Sequence, residues 1–241
     1  MWSLSAMQQA CAALPFATVV LPQVDSTSAW LKRTLPPEPC MVIAYAQTRG
    51  YGQHGRGWQM RPGQDLAMTF WLPQSAHLAA LPMLTPYVAL QLRSRLQPFS
   101  DQRLWCKWPN DIYNPAGKVS GTLIERGGAG LMVGCGINWA RSDTWPHALS
   151  DTRLPWDFLA QWGAWVLTAL PHFHARHWQQ VMGAWAAVDW FPRGALVEDL
   201  QGNRYRYGGI QADGRLLLWQ GRQAVYVHSG TCSLRPVDQG P

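Results

Sequence analysis

The sequence predicts an α+β protein with a large domain, residues 1–190, followed by a small β domain, residues 191–241. Its length of 241 residues fits one large domain with a small companion and can bury a core without disulfides or a structural metal. Before Pro192, apolar stretches of strand length are mixed with longer stretches that have helical spacing. After Pro192, short alternating segments separated by glycine-containing turns are typical of a small barrel or meander.

The first half of the large domain contains two predicted helices and two predicted strands. Within residues 22–32, an aspartate or a serine can cap a short helix. The apolar segments Met41–Gln47 and Leu66–Leu72 are predicted to be buried strands. Apolar residues at helical spacing then predict a helix over Leu84–Leu96, which Pro98 ends.

Three strands and a long helical region are predicted for the second half. The strands are Leu104–Trp108, Val119–Glu125 and Leu131–Asn138. Residues Trp156–Val188 are predicted to be mostly helical, with a kink or break at Pro171, which lacks an N–H donor. In the small domain, the predicted strands are Ala195–Leu200, Tyr205–Gln211, Arg215–Gln220 and Ala224–His228.

The composition excludes several classes of protein. With 47% hydrophobic and 14% charged residues, the chain is not intrinsically disordered. Two uncharged stretches, 1–24 and 158–175, contain prolines and polar residues, so we expect neither an export signal nor a membrane span. Five widely spaced cysteines predict reduced thiols and, with the missing export signal, a cytoplasmic protein. The 15 tryptophans fit core packing or stacking on a planar ligand, and composition does not choose between them.

The net charge of +6 favours acidic partners such as nucleotides or acidic proteins. The basic residues are scattered along the chain rather than clustered, so we expect no binding to DNA.

A glycine-rich loop, Gly50–Trp58, follows the first predicted strand. Its first six residues match G-x-G-x-x-G, but no helix follows and Asp65 is too near to be the acidic partner of a dinucleotide site. Two interpretations stay open. The backbone amides and Arg56 could cradle an anion, or the glycines could simply permit a tight connection between strands.

Two lysine motifs follow. Lys107–Asp111 reads Lys-Trp-Pro-Asn-Asp and brings a cation, an amide and a carboxylate together at the end of a strand. Lys118 precedes Val119–Gly121, a run of small residues that leads into the next strand. A lysine in this position could neutralise a carboxylate and a phosphate where negative charge builds up during adenylation.

Taken in order, these motifs resemble those of the biotin–protein ligases in the biotin/lipoate ligase superfamily. The resemblance covers nearly the whole chain and implies a mixed-sheet catalytic domain with a C-terminal SH3-like β-barrel. The segments that carry it are Asp25–Ser28, Ala46–Gln47, Gly50–Trp58, Lys107–Asp111, Lys118–Gly121, Gly134–Asn138 and Ser233–Arg235.

The resemblance implies a two-step acyl transfer. The carboxylate of biotin attacks the α-phosphate of ATP bound to Mg²⁺, which gives biotinyl-5′-AMP and pyrophosphate. A lysine of a biotin carboxyl carrier protein, a subunit of acetyl-CoA carboxylase, then takes the biotin and AMP leaves. The acting protein would be a monomer or a homodimer.

The resemblance also assigns roles to individual residues. Lys118 and Arg56 are the implied catalytic residues, and Asp111 is the implied magnesium ligand. The residues implied to bind biotin are Ser26, Thr27, Ser28, Gln47, Gly50, Tyr51, Gly52, Gln53, Lys118 and Gly121. The residues implied to bind ATP are Gln53, His54, Arg56, Trp58, Lys107, Asn110, Asp111, Asn138 and Arg235.

This chain departs from the family pattern at the glycine-rich loop. Tyr51 and Gln53 stand where the family usually has arginines, which predicts weaker retention of the adenylate. Ser28 stands where asparagine is common. Because the Ser-Thr element begins at residue 26, we expect a ligase of the type that lacks an N-terminal DNA-binding repressor domain. Two alternatives stay open: a lipoate or octanoyl ligase of the same superfamily, and a non-catalytic sensor of biotin or a nucleotide.

Overall fold

The computed structural model of the chain describes residues 1–150, 155–229 and 232–237. The helices of these ranges are α1 (Leu4–Ala12), α2 (Thr27–Thr34), α3 (Leu84–Leu96), α4 (Trp156–Ala164) and α5 (Ala175–Ala187). The strands of a first sheet are β1 (Thr18–Leu21), β2 (Cys40–Ala44), β3 (Leu66–Leu72), β4 (Trp105–Lys107), β5 (Asp111–Asn114), β6 (Gly117–Gly127) and β7 (Gly130–Ile137). The strands of a second sheet are β8 (Leu196–Glu198), β9 (Arg204–Ile210), β10 (Leu216–Gln220), β11 (Gln223–Val227) and β12 (Arg235–Pro236).

The first sheet is mixed, with the strand order β1-β2-β3-β7-β6-β5-β4. Strands β1 and β2 are parallel, and all other neighbours in this sheet are antiparallel. Successive side chains of a strand point to opposite faces. In β2, Met41 and Ile43 therefore join the main core, whereas Cys40 and Val42 pack with Leu31 of α2 on the other face. The α+β class and the mixed sheet predicted above are confirmed.

Most predicted elements occur within a few residues of their expected bounds. Helix α3 and strand β3 have the bounds that the pattern predicts. The predicted helical region 156–188 is broken near Pro171: a π-helical turn, Trp165–Ala169, and a 3₁₀ turn, Leu170–His172, separate α4 from α5. The sequence did not predict α1, β1, β5 or β12.

The second sheet is antiparallel throughout, with the order β11-β10-β9-β8-β12. This ladder confirms a C-terminal β unit, and its closure into a barrel stays a prediction. Hydrogen bonds join it to the first unit, since Trp108 Nε1 donates to Gly214 O at 3.2 Å and Trp178 Nε1 to Gln211 O at 3.2 Å.

A buried acid at the same junction makes stability depend on pH. The Tyr207 hydroxyl lies 3.0 and 2.9 Å from the two carboxylate oxygens of Asp189. Burial raises the pKa of Asp189 to about 6, although the hydrogen bonds oppose this shift. The folded protein therefore binds this proton more tightly than the unfolded chain does. The contribution of Asp189 to the free energy of unfolding therefore falls as the pH rises from about 4 to about 6.

We expect Asp189→Asn, which cannot ionise, to remove that fall while it keeps an acceptor for Tyr207. Chemical denaturation of both proteins at several pH values measures the effect. The difference in unfolding free energy between variant and wild type should grow in favour of the variant across this range. A difference that is independent of pH would contradict the assignment.

All five cysteines are free thiols, as predicted. Within the described ranges, every helix is too short or too polar to cross a bilayer. The same residues contain no group of three histidine, cysteine or acidic side chains that could hold a metal ion.

Candidate active site

A cavity of about 510 Å³, including its open mouth, lies between helix α2 and the face of the first sheet that α2 covers. It exists because small residues occupy this face, among them Ala67 and Thr69 of β3, Gly121 of β6, and Gly134 and Gly136 of β7. The residues that line it are Ser26, Thr27, Ser28, Gln47, Tyr51, Gly52, Gln53, Trp58, Ala67, Met68, Thr69, Asn110, Lys118, Gly121, Thr122, Leu123, Gly134, Cys135 and Gly136. Most residues that the resemblance implies to bind biotin are thus brought together.

A group of polar side chains, most of them buried, forms one wall of this cavity. Gln47 Oε1 accepts from the backbone N–H of Thr27 at 2.8 Å and from the Thr27 hydroxyl at 3.2 Å. The hydroxyl of Thr69 lies 2.8 Å from that of Thr27 and 3.1 Å from that of Ser28. Thr27 and Ser28 begin helix α2, and Ser26 is its N-cap. The wall therefore offers several donors and acceptors to a ligand in a fixed arrangement.

We expect Thr69→Val to lower the free energy of unfolding by about 1–2 kcal/mol, because the shape is kept while two buried hydroxyls lose a partner. Chemical denaturation measures this change. Thr122→Val is the matched control, since the Thr122 hydroxyl is equally buried and its contact with Asn110 O is long, at 3.5 Å. Equal losses in the two variants would contradict a special role for Thr69.

Lys118 lies in another part of the lining, and its ammonium is 2.7 Å from Oδ1 of Asp111. The pairing of β5 with β6 shifts register between Ile112 and Tyr113, where one extra residue of β6 is accommodated. Such a bulge changes the face to which the following residues point. Lys118 and Gly121, three positions apart, therefore line the same cavity. A Cβ at Gly121 would lie 3.0 Å from Lys118 Nζ, so glycine leaves the ammonium its space.

The other residues of the Lys-Trp-Pro-Asn-Asp motif surround this lysine. Asn110 lines the cavity, and its amide donates to Thr122 O at 2.6 Å. Lys107 does not line the cavity, and its ammonium lies 4.9 Å from the ring centre of Tyr113. Burial lowers the pKa of Lys107, an effect that Asp111 opposes and the positive charges of Lys118 and Arg56 reinforce. Positive charge is therefore concentrated on this side of the cavity.

The glycine-rich loop covers the cavity and is attached at its two ends. Gly50, outside the lining, is enclosed, since a Cβ there would lie 2.6 Å from Gln47 Nε2 and 2.7 Å from Trp58 O. The Trp58 ring packs on Gly136, where a Cβ would lie 2.6 Å from it. The indole N–H of Trp58 is buried without a hydrogen-bond partner.

Besides Lys107 and Asp111, four residues implied to bind ATP lie outside the lining. His54 and Arg56 are exposed at the tip of the loop, where His54 has a φ of 59°. Asn138 is buried behind Lys118 and donates to its backbone carbonyl at 2.9 Å. Arg235 lies in the second sheet, paired with Glu198 at 2.5 Å. The structure does not bring Arg235 to the cavity, and its contact with a nucleotide stays a prediction.

Of the sheet residues that line the cavity, the sequence predicts Lys118, Gly121 and the motif that contains Asn110, but not those of β3. Thr69 lies within a strand predicted only as buried. The small residues that make the space come from β3 and from the consecutive strands β6 and β7, which lie more than 40 residues further along the chain. A polar threonine within the apolar run 66–72 was the one available signal.

A family model described as the biotin/lipoate A/B protein ligase family matches residues 20–140, just over half of the chain. The chain belongs to this family. A curated relative, the biotin–[acetyl-CoA-carboxylase] ligase of Paracoccus denitrificans, is 35% identical over 130 residues, which are 50% of this chain and 54% of that protein. The bifunctional ligase/repressor BirA of Escherichia coli is 31% identical over 134 residues, 52% of this chain and 41% of that protein.

Solved structures of the family share the fold. The biotin protein ligase of Aquifex aeolicus in complex with biotin and ATP has a TM-score of 0.75 at 22% identity, over 92% of this chain and 99% of that chain. The biotin acetyl coenzyme A carboxylase synthetase of Helicobacter pylori with bound biotinylated ATP has a TM-score of 0.65 at 18% identity, over 88% and 99%. The present chain spans about half the length of the curated ligases that it matches.

Proposed function

We propose that this member of the family activates biotin as biotinyl-5′-AMP and transfers it to a lysine of a biotin carboxyl carrier protein. The observation that carries the proposal is a single cavity with two chemically different parts. Hydroxyl and amide groups of Thr27, Gln47 and Thr69 lie in one part, and the ammonium of Lys118 in the other. Biotin has the matching parts, a polar ureido ring and a carboxylate joined by an apolar chain.

In the proposed first step, two anions must approach each other. The biotin carboxylate attacks the α-phosphorus, the bond to the bridging oxygen of pyrophosphate breaks, and the acyl adenylate forms. Lys118 would hold the carboxylate and stabilise the charge that develops on the phosphate, and Arg56 would add a cation from the loop. Trp58, on the cavity side of the loop, would pack against the adenine.

In the second step, the amine of the carrier lysine attacks the acyl carbon and AMP leaves with the electron pair of the broken bond. The glycine-rich loop would exclude water from the adenylate until the carrier arrives.

Magnesium would accompany the nucleotide in this proposal. Mg²⁺ usually keeps several waters and binds through one or two carboxylates together with substrate phosphates. Asp111, the carboxylate beside Lys118, fits that need and is the residue that would hold the ion. The ion would neutralise part of the charge on the phosphates.

The polar wall favours biotin over lipoate. Thr27, Ser28 and Gln47 bond to one another or to Thr69 but keep further hydrogen-bonding capacity that faces the cavity. The dithiolane ring of lipoate has no N–H or C=O, so it would leave that remaining capacity unused. An unsatisfied buried polar group costs about 1–3 kcal/mol. A ligand with a ureido group replaces the lost water contacts, whereas lipoate does not.

The boundary between the two units is also a proposal. The first sheet uses strands up to residue 137 and the second begins at residue 196. This division supports a catalytic domain over 1–190 and an SH3-like domain over 191–241.

A set of parallel incubations tests the proposed function. The chain is mixed with ATP, Mg²⁺ and a biotin carboxyl carrier domain, with either biotin or lipoate, and the carrier is weighed by mass spectrometry. A gain of one biotinyl group, absent when ATP is omitted, is the expected result. A gain with lipoate alone would favour the lipoate ligase. No gain with either acid, together with tight binding of biotin, would favour the sensor.

A further inference from the structure

Three side chains from separate elements meet beside the glycine-rich loop, and we call them the loop anchor: Tyr51, Glu125 and Lys32. Oε2 of Glu125 accepts from the Tyr51 hydroxyl at 3.2 Å. The Lys32 ammonium donates to Oε1 of Glu125 at 2.6 Å and to the Tyr51 hydroxyl at 3.1 Å. Each of the three groups is therefore bonded to the other two.

The anchor connects the loop to both walls of the cavity. Lys32 belongs to α2, the helix that begins with Thr27 and Ser28, and Glu125 belongs to β6, the strand that carries Lys118. Tyr51 itself lines the cavity. The hydrogen bonds of Tyr51 therefore fix the cavity-facing part of the loop relative to α2 and β6, which carry other residues of the site.

The backbone hydrogen bonds of this segment lie mostly inside it. Gly52 N–H donates to Arg56 O at 2.8 Å, and Trp58 N–H donates to Gly50 O at 2.8 Å. These bonds shape the loop without attaching it to the two walls. The anchor and the packing of Trp58 on Gly136 attach it to them.

Lysine is rare in this chain, which supports a specific role for Lys32. The chain has three lysines and 17 arginines, and the other two lysines are Lys107 and Lys118 of the site motifs. Burial lowers the pKa of Lys32, but its bonds to Glu125 and Tyr51 outweigh burial and leave the pKa raised. Lys32 is thus charged at neutral pH and can donate to both partners at once.

We propose that Lys32 and Glu125 are positioning residues that hold Tyr51, and with it the glycine-rich loop, over the cavity before any ligand binds. The proposal rests on the proposed function only for its kinetic consequence, since the order of the empty loop can be measured alone. Tyr51 has its partners within the protein, so its position does not depend on a bound anion. The side chains of Lys32 and Glu125 are 42% and 22% exposed, so the anchor is weak enough to open when ligands enter.

Hydrogen exchange of the ligand-free protein tests the anchor. Tyr51→Phe removes the hydroxyl and keeps the ring, Lys32→Met removes the charge and keeps the length, and Glu125→Gln removes the carboxylate. Each should raise the exchange rate of the fragment with residues 50–58 about fivefold, the effect of losing one weak interaction. Arg33→Met is the matched control, because Arg33 follows Lys32 on α2 and pairs with Asp25 instead.

Two outcomes would overturn the anchor. The first is an exchange rate of residues 50–58 that equals the wild-type rate in all three variants. The second is an equally large increase of that rate in Arg33→Met, which would place the effect in helix α2. The release rate of biotinyl-5′-AMP is the second readout and should rise by a similar factor in Tyr51→Phe. Faster exchange with unchanged release would overturn the positioning role. If the wild type forms no adenylate, the proposed function fails while the exchange result still decides the anchor.

Discussion

Replacing Lys118 with methionine is expected to lower the rate of biotinyl-adenylate formation by about 100-fold or more, the usual effect of removing a group that stabilises transition-state charge. Methionine keeps most of the length of the side chain and removes its charge. The reason is the position of the ammonium, which lines the cavity beside Asp111 and has room because residue 121 is glycine. Pre-steady-state formation of the adenylate from biotin and ATP measures the effect.

Two controls separate catalysis from folding in this experiment. Asp111→Asn breaks the same ion pair from its other side, so any loss of stability that comes from the pair alone should appear in both variants. The unfolding free energy of each variant is therefore measured beside its rate. A Lys118→Met protein that is folded and forms the adenylate at the wild-type rate would contradict the role of Lys118.

Local patterns predicted the elements whose periodicity is strong. Helix α3 was found because its apolar residues repeat at helical spacing and Pro98 ends the pattern, and β3 because seven apolar or uncharged residues follow one another. Helix α1 lies in an uncharged stretch that the sequence pattern does not mark as a helix, although Ser3 accepts from the Ala6 N–H as its N-cap. Strand β5 was missed because its four residues lie between a motif and a turn.

The candidate site was predicted as far as it lies in contiguous motifs. Lys118, Asp111 and the glycine-rich loop each stand in such a motif, and the structure brings them together. The loop anchor could not be predicted, because Lys32 and Glu125 are 93 positions apart and meet only through the sheet. Composition alone also could not assign the tryptophans: seven of the 15 are buried in the structure, among them Trp139 and Trp162, which lie in the core and not in the cavity lining.

Tyr51 and Gln53 stand in the loop where the family usually has arginines, and restoring an arginine is expected to have the second large effect. We expect Gln53→Arg to slow the release of biotinyl-5′-AMP about tenfold, because Gln53 lines the cavity and an arginine there can bind the phosphate through charge-assisted bonds worth about 1.5–3 kcal/mol when buried. The lower end of that range applies, since the loop is partly exposed. Release is measured by chasing bound labelled adenylate with an excess of unlabelled compound.

Tyr51→Arg should contribute less than Gln53→Arg, because Glu125 is beside position 51 and would pair with the new guanidinium. The double variant is therefore expected to release the adenylate only slightly more slowly than Gln53→Arg alone. Gln59→Arg is the matched control for added charge, as Gln59 is exposed just beyond Trp58 and outside the lining. Equal release rates for the wild type and the double variant would show that the substitutions at positions 51 and 53 do not weaken retention. The attachment of the loop, rather than its charge, would then determine how long the adenylate stays bound.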